Sequence, residues 1–158
     1  MKSSTVKVSA STTVTVPAAS RAATVLPGWQ AVFSTLAHDV SGTVTVVDAD
    51  TFTVDDFIYD GTGLDVYFYL GEDNTHASFM VGLEVGPQLV GPPFDGTEGQ
   101  LMIDLPIGET FDGYGAISVW CTDVPISFGS GTFAPVPEPS APLLVGFAAL
   151  VFLHTRRK

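Results

Sequence analysis

Lysine and arginine are missing from most of this chain. The six present lie at its ends, as Lys2, Lys7 and Arg21 and then Arg156, Arg157 and Lys158, and all 17 acids fall between Arg21 and Arg156. The formal net charge is −11. A long acidic stretch without cations repels nucleic acid and anionic lipid headgroups, which argues against both as partners of the folded part. It also lacks the Lys and Arg needed for internal salt bridges. Its carboxylates must be solvated, capped by backbone N–H groups or bound to a cation.

Cysteine is nearly absent: Cys121 stands alone, so no internal disulfide can form. There is no Gly-x-Ser-x-Gly, no His-Glu-x-x-His, no phosphate loop and no Cys-x-x-Cys-His haem-attachment motif. A hydrolase or nucleotide enzyme therefore has nothing to run on, and the chain reads as a non-catalytic module. No helical period and no internal repeat shows in the middle of the chain. The start also lacks an unbroken apolar core of about 7–15 residues, the mark of a secretory signal. Ala22 to Trp29 is interrupted by Pro27 and Gly28. Residues 1–33, rich in Ser, Thr, Ala and Val, read as a poorly ordered tail, and a misassigned start codon would explain the missing signal.

What is present is a succession of short β-type runs from residue 34 to 133. Val40, Gly42, Val44 and Val46 alternate with Ser41, Thr43, Thr45 and Val47, the period of a half-buried strand. Asp48 to Asp50 is a turn. Phe52, Val54, Phe57 and Tyr59 form a second strand, with a bulge or kink at Asp55-Asp56. Asp60 to Gly63 turns, Leu64 to Leu70 is a third strand, and His76 to Val85 reads as a fourth. Gly86 to Gly99 is a Pro- and Gly-rich loop. Gln100 to Leu105 and Ala116 to Val124 complete the main set, Pro125 breaks the chain, and Ile126 to Phe128 resumes it. Phe111 and Tyr114 are anchors in the connection before Ala116. The expectation is an all-β, antiparallel sandwich of about seven short strands with one C-terminal hydrophobic helix.

Alternation places Ile117, Val119 and Cys121 on one face of the central strand and Ser118, Trp120 and Thr122 on the other. Cys121 is then either a small core side chain or a redox or ligating thiol. With acids nearby and no cation, it should be a poor nucleophile unless a metal supplies positive charge. Asp48, Asp50, Asp55, Asp56, Asp60 and Asp65 offer oxygen donors for calcium. The Gly61 to Asp65 segment overlaps the pattern of calcium-binding β-rolls, but those need tandem copies. His38 could join Cys121 as a metal or haem ligand, or be a polar residue at a strand start. His76 sits at a loop-to-strand junction.

Taken together, His38-Asp39-Val40-Ser41-Gly42, the segment Phe57 to Phe68 with its Tyr59-Asp60-Gly61-x-Gly63-x-Asp65 core, Trp120-Cys121 and Phe128-Gly129 resemble the DM-thirteen domain. That family of small extracellular β domains is often found beside DOMON domains and b-type cytochromes. The resemblance implies electron transfer with a redox partner protein, with Cys121 as a bare redox thiol or a ligand to a prosthetic group such as haem. Trp120 carries over as its neighbour.

Residues 134–140 form a Pro-rich spacer containing Pro137-Glu138-Pro139. The apolar run Ala141 to Leu153 and the basic end Arg156-Arg157-Lys158 follow. The run falls short of the ~20 residues of an ordinary spanning helix, but cations just after it fit the positive-inside rule. Residues 141–158 are therefore expected to form a transmembrane helix with a cytoplasmic basic tail. Motif, helix and tail in this order resemble the PEP-CTERM sorting signal of bacteria. That resemblance implies export, a hold at the inner membrane, recognition by an exosortase and delivery to the cell surface. The competing class of function is a surface or matrix protein that binds a partner, a saccharide or calcium, with Cys121 merely core.

Overall fold

The computed structural model describes residues 24–137. The expected membrane helix and basic tail, and Glu138 and Pro139 of the sorting motif, lie outside the described residues. No helix within them is long and apolar enough to cross a membrane.

Two antiparallel sheets stack face to face. The elements are β1 (Trp29–Val32), β2 (Ser34–Thr35), β3 (Ser41–Val46), β4 (Thr51–Tyr59), β5 (Val66–Gly71), α1 (His76–Met80), β6 (Leu83–Val85), β7 (Phe94–Asp95), β8 (Leu101–Asp104), β9 (Ala116–Cys121), β10 (Ile126–Thr132) and β11 (Ala134–Pro135). One sheet has the order β11-β1-β3-β4-β7, with β8 also on β4, and the other runs β2-β10-β9-β5-β6. The strands outnumber the seven expected because several are two-residue pairings that leave no periodic trace.

Inner-face alternation fills the core. Val44 and Val46 from β3, Phe52, Val54, Phe57 and Tyr59 from β4, Val66, Phe68 and Leu70 from β5, and Ile117, Val119 and Cys121 from β9 are all buried in one cluster. The switch of phase between Val54 and Phe57 is a bulge. Ser41 pairs with Ile58 but Thr43 with Asp55, so Asp56 and Phe57 face Gly42 alone. Asp56 adopts φ 51° to make the kink. A side chain on Gly42 would lie 3.1 Å from the Asp55 carbonyl, so the two backbones meet where only glycine fits.

Two readings change. His76 to Met80 is a helix, not the start of a strand; Thr75 caps it, its side chain accepting from the Ser78 N–H. This short helix lays Phe79 against Trp120 on the outer face of β9, at a ring separation of 5.9 Å. One helical turn has too few residues to show a period, and tertiary packing of Phe79 decides it. The sheet also reaches back into the expected tail. Trp29–Val32 pairs with both β3 and β11, and Val25 is buried in the core.

Candidate functional site

One end of the sandwich gathers His38, the Tyr59–Asp65 segment, Phe128 and Cys121. A second bulge builds it. In β10, Ser127 faces Trp120 and Gly129 faces Val119, leaving Phe128 as the extra residue. Its carbonyl accepts the N–H groups of both Leu36 (3.0 Å) and Ala37 (2.8 Å). The chain then passes through His38 and Asp39, each at φ 56°. Two successive non-glycine residues in the left-handed region cost on the order of 1–3 kcal/mol each, and such strain gathers at functional sites. The outcome is a His38 ring tilted at 43° against that of Phe128, with centroids 4.0 Å apart and the His38 side chain 31% exposed.

His38 Nδ1 lies 3.0 Å from Asp60 Oδ2 and 2.9 Å from Thr62 Oγ1. The carboxylate can only accept, so the proton is on Nδ1. Thr62 closes the other side: its N–H (2.8 Å) and hydroxyl (2.7 Å) both donate to Asp60 Oδ1. Partial burial works to raise the Asp60 carboxyl, but the bonds from Thr62 and His38 together outweigh it and hold the group below its usual range. At the far end of the loop, Asp65 takes Thr122 Oγ1 (2.8 Å) and Gln88 Nε2 (2.6 Å) on its two oxygens. Its carbonyl receives the Thr122 N–H at 2.8 Å. The loop is thereby stapled to the strand end that carries Cys121.

Beneath it sits Tyr59, 0% exposed, its hydroxyl donating to the Thr62 carbonyl. A Cβ on Gly63 would stand 3.2 Å from that hydroxyl and 2.7 Å from Val66 Cγ2, so the loop backbone closes directly on the phenol. Burial foremost, then the charge of Asp60 and that of Cys121 when ionised, push Tyr59 up to about 12. The phenol therefore stays protonated at neutral pH.

Cys121 ends β9 between Val66 on β5 and Ile126 on β10, and is 3% exposed on the core side. The alternation expected from sequence holds, so Trp120, its neighbour in the chain, lies on the opposite face. There it packs under α1 with Phe79 and His76 and beside Tyr69. Haem does not fit at Cys121. The side chain of Cys121 is buried within the main core cluster, with no room for a macrocycle beside it, while His38 bonds Asp60 and Thr62 through Nδ1 and has only Nε2 left for any ligand role. Nor do the aspartates converge. Asp60 and Asp65 are each occupied by their own hydrogen bonds, and among the described residues no three His, Cys, Asp or Glu side chains group as metal ligands.

The stretch that holds these segments is similar to known proteins. Residues 32–133 match the family described as electron transfer DM13. The chain belongs to the DM13 family. Among curated proteins it is similar to Protein Skeletor of Drosophila melanogaster, in isoforms B/C and in isoforms D/E, at 30% identity over 104 residues in both cases. The matched stretch is 63% of this chain but only 13% and 7% of those relatives, which are far longer proteins. No solved structure matches. Within the DM13 domain, sequence reasoning singled out Cys121, Trp120 and His38 but gave no role to Tyr59, Thr62 or Phe128. The signal for Tyr59 was a large aromatic immediately before an Asp-Gly turn; the Phe128 bulge leaves no such mark.

Proposed function

We propose that this DM13 protein is an exported, non-catalytic electron-transfer accessory module that works through Cys121 as a bare thiol, exchanging with a disulfide of a redox partner protein so that a mixed disulfide forms as one partner thiol leaves. The observation that carries the reading is the meeting of the family's motif residues at the end of the sandwich where the thiol lies. The loop from Tyr59 to Asp65 is bonded to the strand end bearing Cys121, and Tyr59 and His38 line the same end. Pro137-Glu138-Pro139, the apolar run Ala141 to Leu153 and Arg156-Arg157-Lys158 support sorting by an exosortase-type system and a hold at the inner membrane before delivery to the surface.

The test is alkylation of Cys121 in the native full chain across a series of thiol–disulfide buffers. Labelling that rises and falls with the buffer potential, and vanishes in Cys121→Ser, supports the reading. A thiol that reacts only after unfolding sinks it and leaves the second reading, a surface binding protein with Cys121 as core. That second reading is favoured by one observation, the 3% exposure of Cys121 within the main core cluster. The sorting step is checked separately in an exosortase-bearing host. There, Glu138→Ala should leave the protein at the inner membrane, while release equal to wild type would remove the sorting motif from the account.

A further inference from the structure

Two loops that flank Cys121 hold aliphatic side chains out in solvent. Leu64, in the 60–65 loop, is 69% exposed, and Val124, in the turn between β9 and β10, is 57% exposed. The loops are joined, because Asp65 takes the Thr122 N–H on its carbonyl and the Thr122 hydroxyl on its carboxylate. Ile126 (47%), which pairs with Cys121, and Leu36 (62%) continue the arc, and both border one groove. We propose that this rim is the docking surface for the redox partner, and that the partner meets it with an apolar contact ringed by lysine and arginine around its disulfide. The inference rests on the thiol-exchange reading above and adds the chemistry of the partner.

The position of Leu64 is fixed. Its loop is bonded at both ends, by Asp60 to His38 and Thr62 and by Asp65 to Thr122 and Gln88. A leucine held out by such a loop loses little freedom on contact, the advantage of a preformed surface. Four aliphatic side chains make a small patch, and redox encounters use contacts at the low end of the interface size range.

Charge decides among the occupants. Asp60 and Asp65 lie in the loop that carries Leu64, Asp123 directly precedes Val124, and Asp39 follows His38; Asp39 and Asp123 are exposed. No Lys or Arg occurs between Arg21 and Arg156 to neutralise them. A second copy of this chain would bring the same carboxylates to the contact and be repelled, and so would an anionic headgroup. A partner with cations around its apolar contact is drawn in and oriented by the same field.

The experiment uses the full chain and two blocked peptides, Lys-Leu-Cys-Lys and Glu-Leu-Cys-Glu, each activated as a mixed disulfide with thiopyridine. Cys121 sulfur attacks the peptide sulfur, a disulfide forms between them, and thiopyridone leaves with the thiol proton; its absorbance gives the rate. The lysine peptide should react at least about tenfold faster at low ionic strength, and the two rates should converge in about 1 M salt. That ratio needs no variant. Asp39→Asn with Asp123→Asn should remove most of it, and asparagine tolerates the left-handed backbone at position 39. Glu109→Gln with Asp112→Asn removes equal charge from the end where β9 begins, and should leave the ratio in place. Leu64→Ser should slow both peptides about threefold, since it removes apolar contact and not charge. The docking surface is overturned, and the thiol reading left standing, if the peptides react equally, if the Glu109 and Asp112 pair abolishes the ratio as fully, if Leu64→Ser reacts as wild type does, or if oxidation links two copies through Cys121 faster than either peptide adds. No reaction from the folded chain removes both.

Discussion

The tetrapeptides Tyr59-Asp60-Gly61-Thr62 and Phe94-Asp95-Gly96-Thr97 make nearly the same turn. In both, the aspartate Oδ1 accepts the threonine N–H, at 2.8 Å from Thr62 and 2.9 Å from Thr97, and also the threonine hydroxyl. In both, the glycine has positive φ, 72° at Gly61 and 83° at Gly96. The two even begin side by side, since Tyr59 pairs with Phe94 across β4 and β7. Only the first is part of the site. Gly61 is pressed against the Gly91-Pro92 backbone, Tyr59 reaches up to the Thr62 carbonyl, and His38 closes on Asp60. A Cβ on Gly96 would meet nothing closer than Ile58 Cγ1 at 3.7 Å, and Phe94 has no hydroxyl. Local chemistry makes the turn; the neighbours that tertiary structure brings make one of the two turns a site.

The comparison breaks most sharply at the glycines. A Cβ on Gly61 would stand 2.3 Å from the Gly91 carbonyl oxygen. Gly61→Ala is therefore expected to cost roughly 3 kcal/mol or more, from the clash and the positive φ together. Gly96→Ala carries only the φ penalty, about 1 kcal/mol. Urea melts of the two variants measure the gap, and equal losses would mean that the packing of the first turn does not distinguish it.

Tyr59→Phe comes next, with an expected loss of about 1 kcal/mol from the unpaired Thr62 carbonyl. It should also change the alkaline limb. The folded pKa of Tyr59 is raised to about 12, so its contribution is whole below the unfolded value near 10 and is lost as pH rises through the folded one. The variant should flatten that decline between about pH 10 and 12, leaving the part due to Tyr69, which is also pushed up to about 12. A denaturation series at alkaline pH reads this directly.

The smallest effect sharpens the comparison. Asp60 and Asp95 are both held below the usual carboxylate range, so each favours the fold above its unfolded pKa, and that support fades as pH falls through the lower, folded value. His38 helps hold only Asp60 down. His38→Ala should move the Asp60 titration upward in a carboxyl-resolved NMR experiment and leave Asp95 where it was. A shift in both, or in neither, would remove the His38–Asp60 contact from the explanation.

Much of the sandwich was legible because burial on one face imposes a period of two. The two faces of β9 and the phase slip at Asp55-Asp56 could be read from spacing alone. What escaped obeys rules that spacing does not carry. Trp29–Val32 follows Pro27-Gly28 and becomes a strand only through partners far along the chain. Phe94–Asp95 pairs for two residues inside a loop rich in proline and glycine. The helix at His76 exists to cover Trp120. At the site, Cys121 and His38 were visible as residue types. Their relation to Tyr59 was not, because it depends on the Phe128 bulge and on two left-handed residues at His38 and Asp39. The repeated Asp-Gly-Thr was in plain view, yet its two copies differ only in what surrounds them.

His38 and Asp60 form the one ion pair among the described residues. Within residues 24–137, then, almost nothing electrostatic offsets the mutual repulsion of so many surface carboxylates. Dissolved salt should act on this molecule as a tightening agent: counter-ions would quiet the surface while finding almost no bridge to weaken. A protein so made is at ease in brine and grows restless in distilled water.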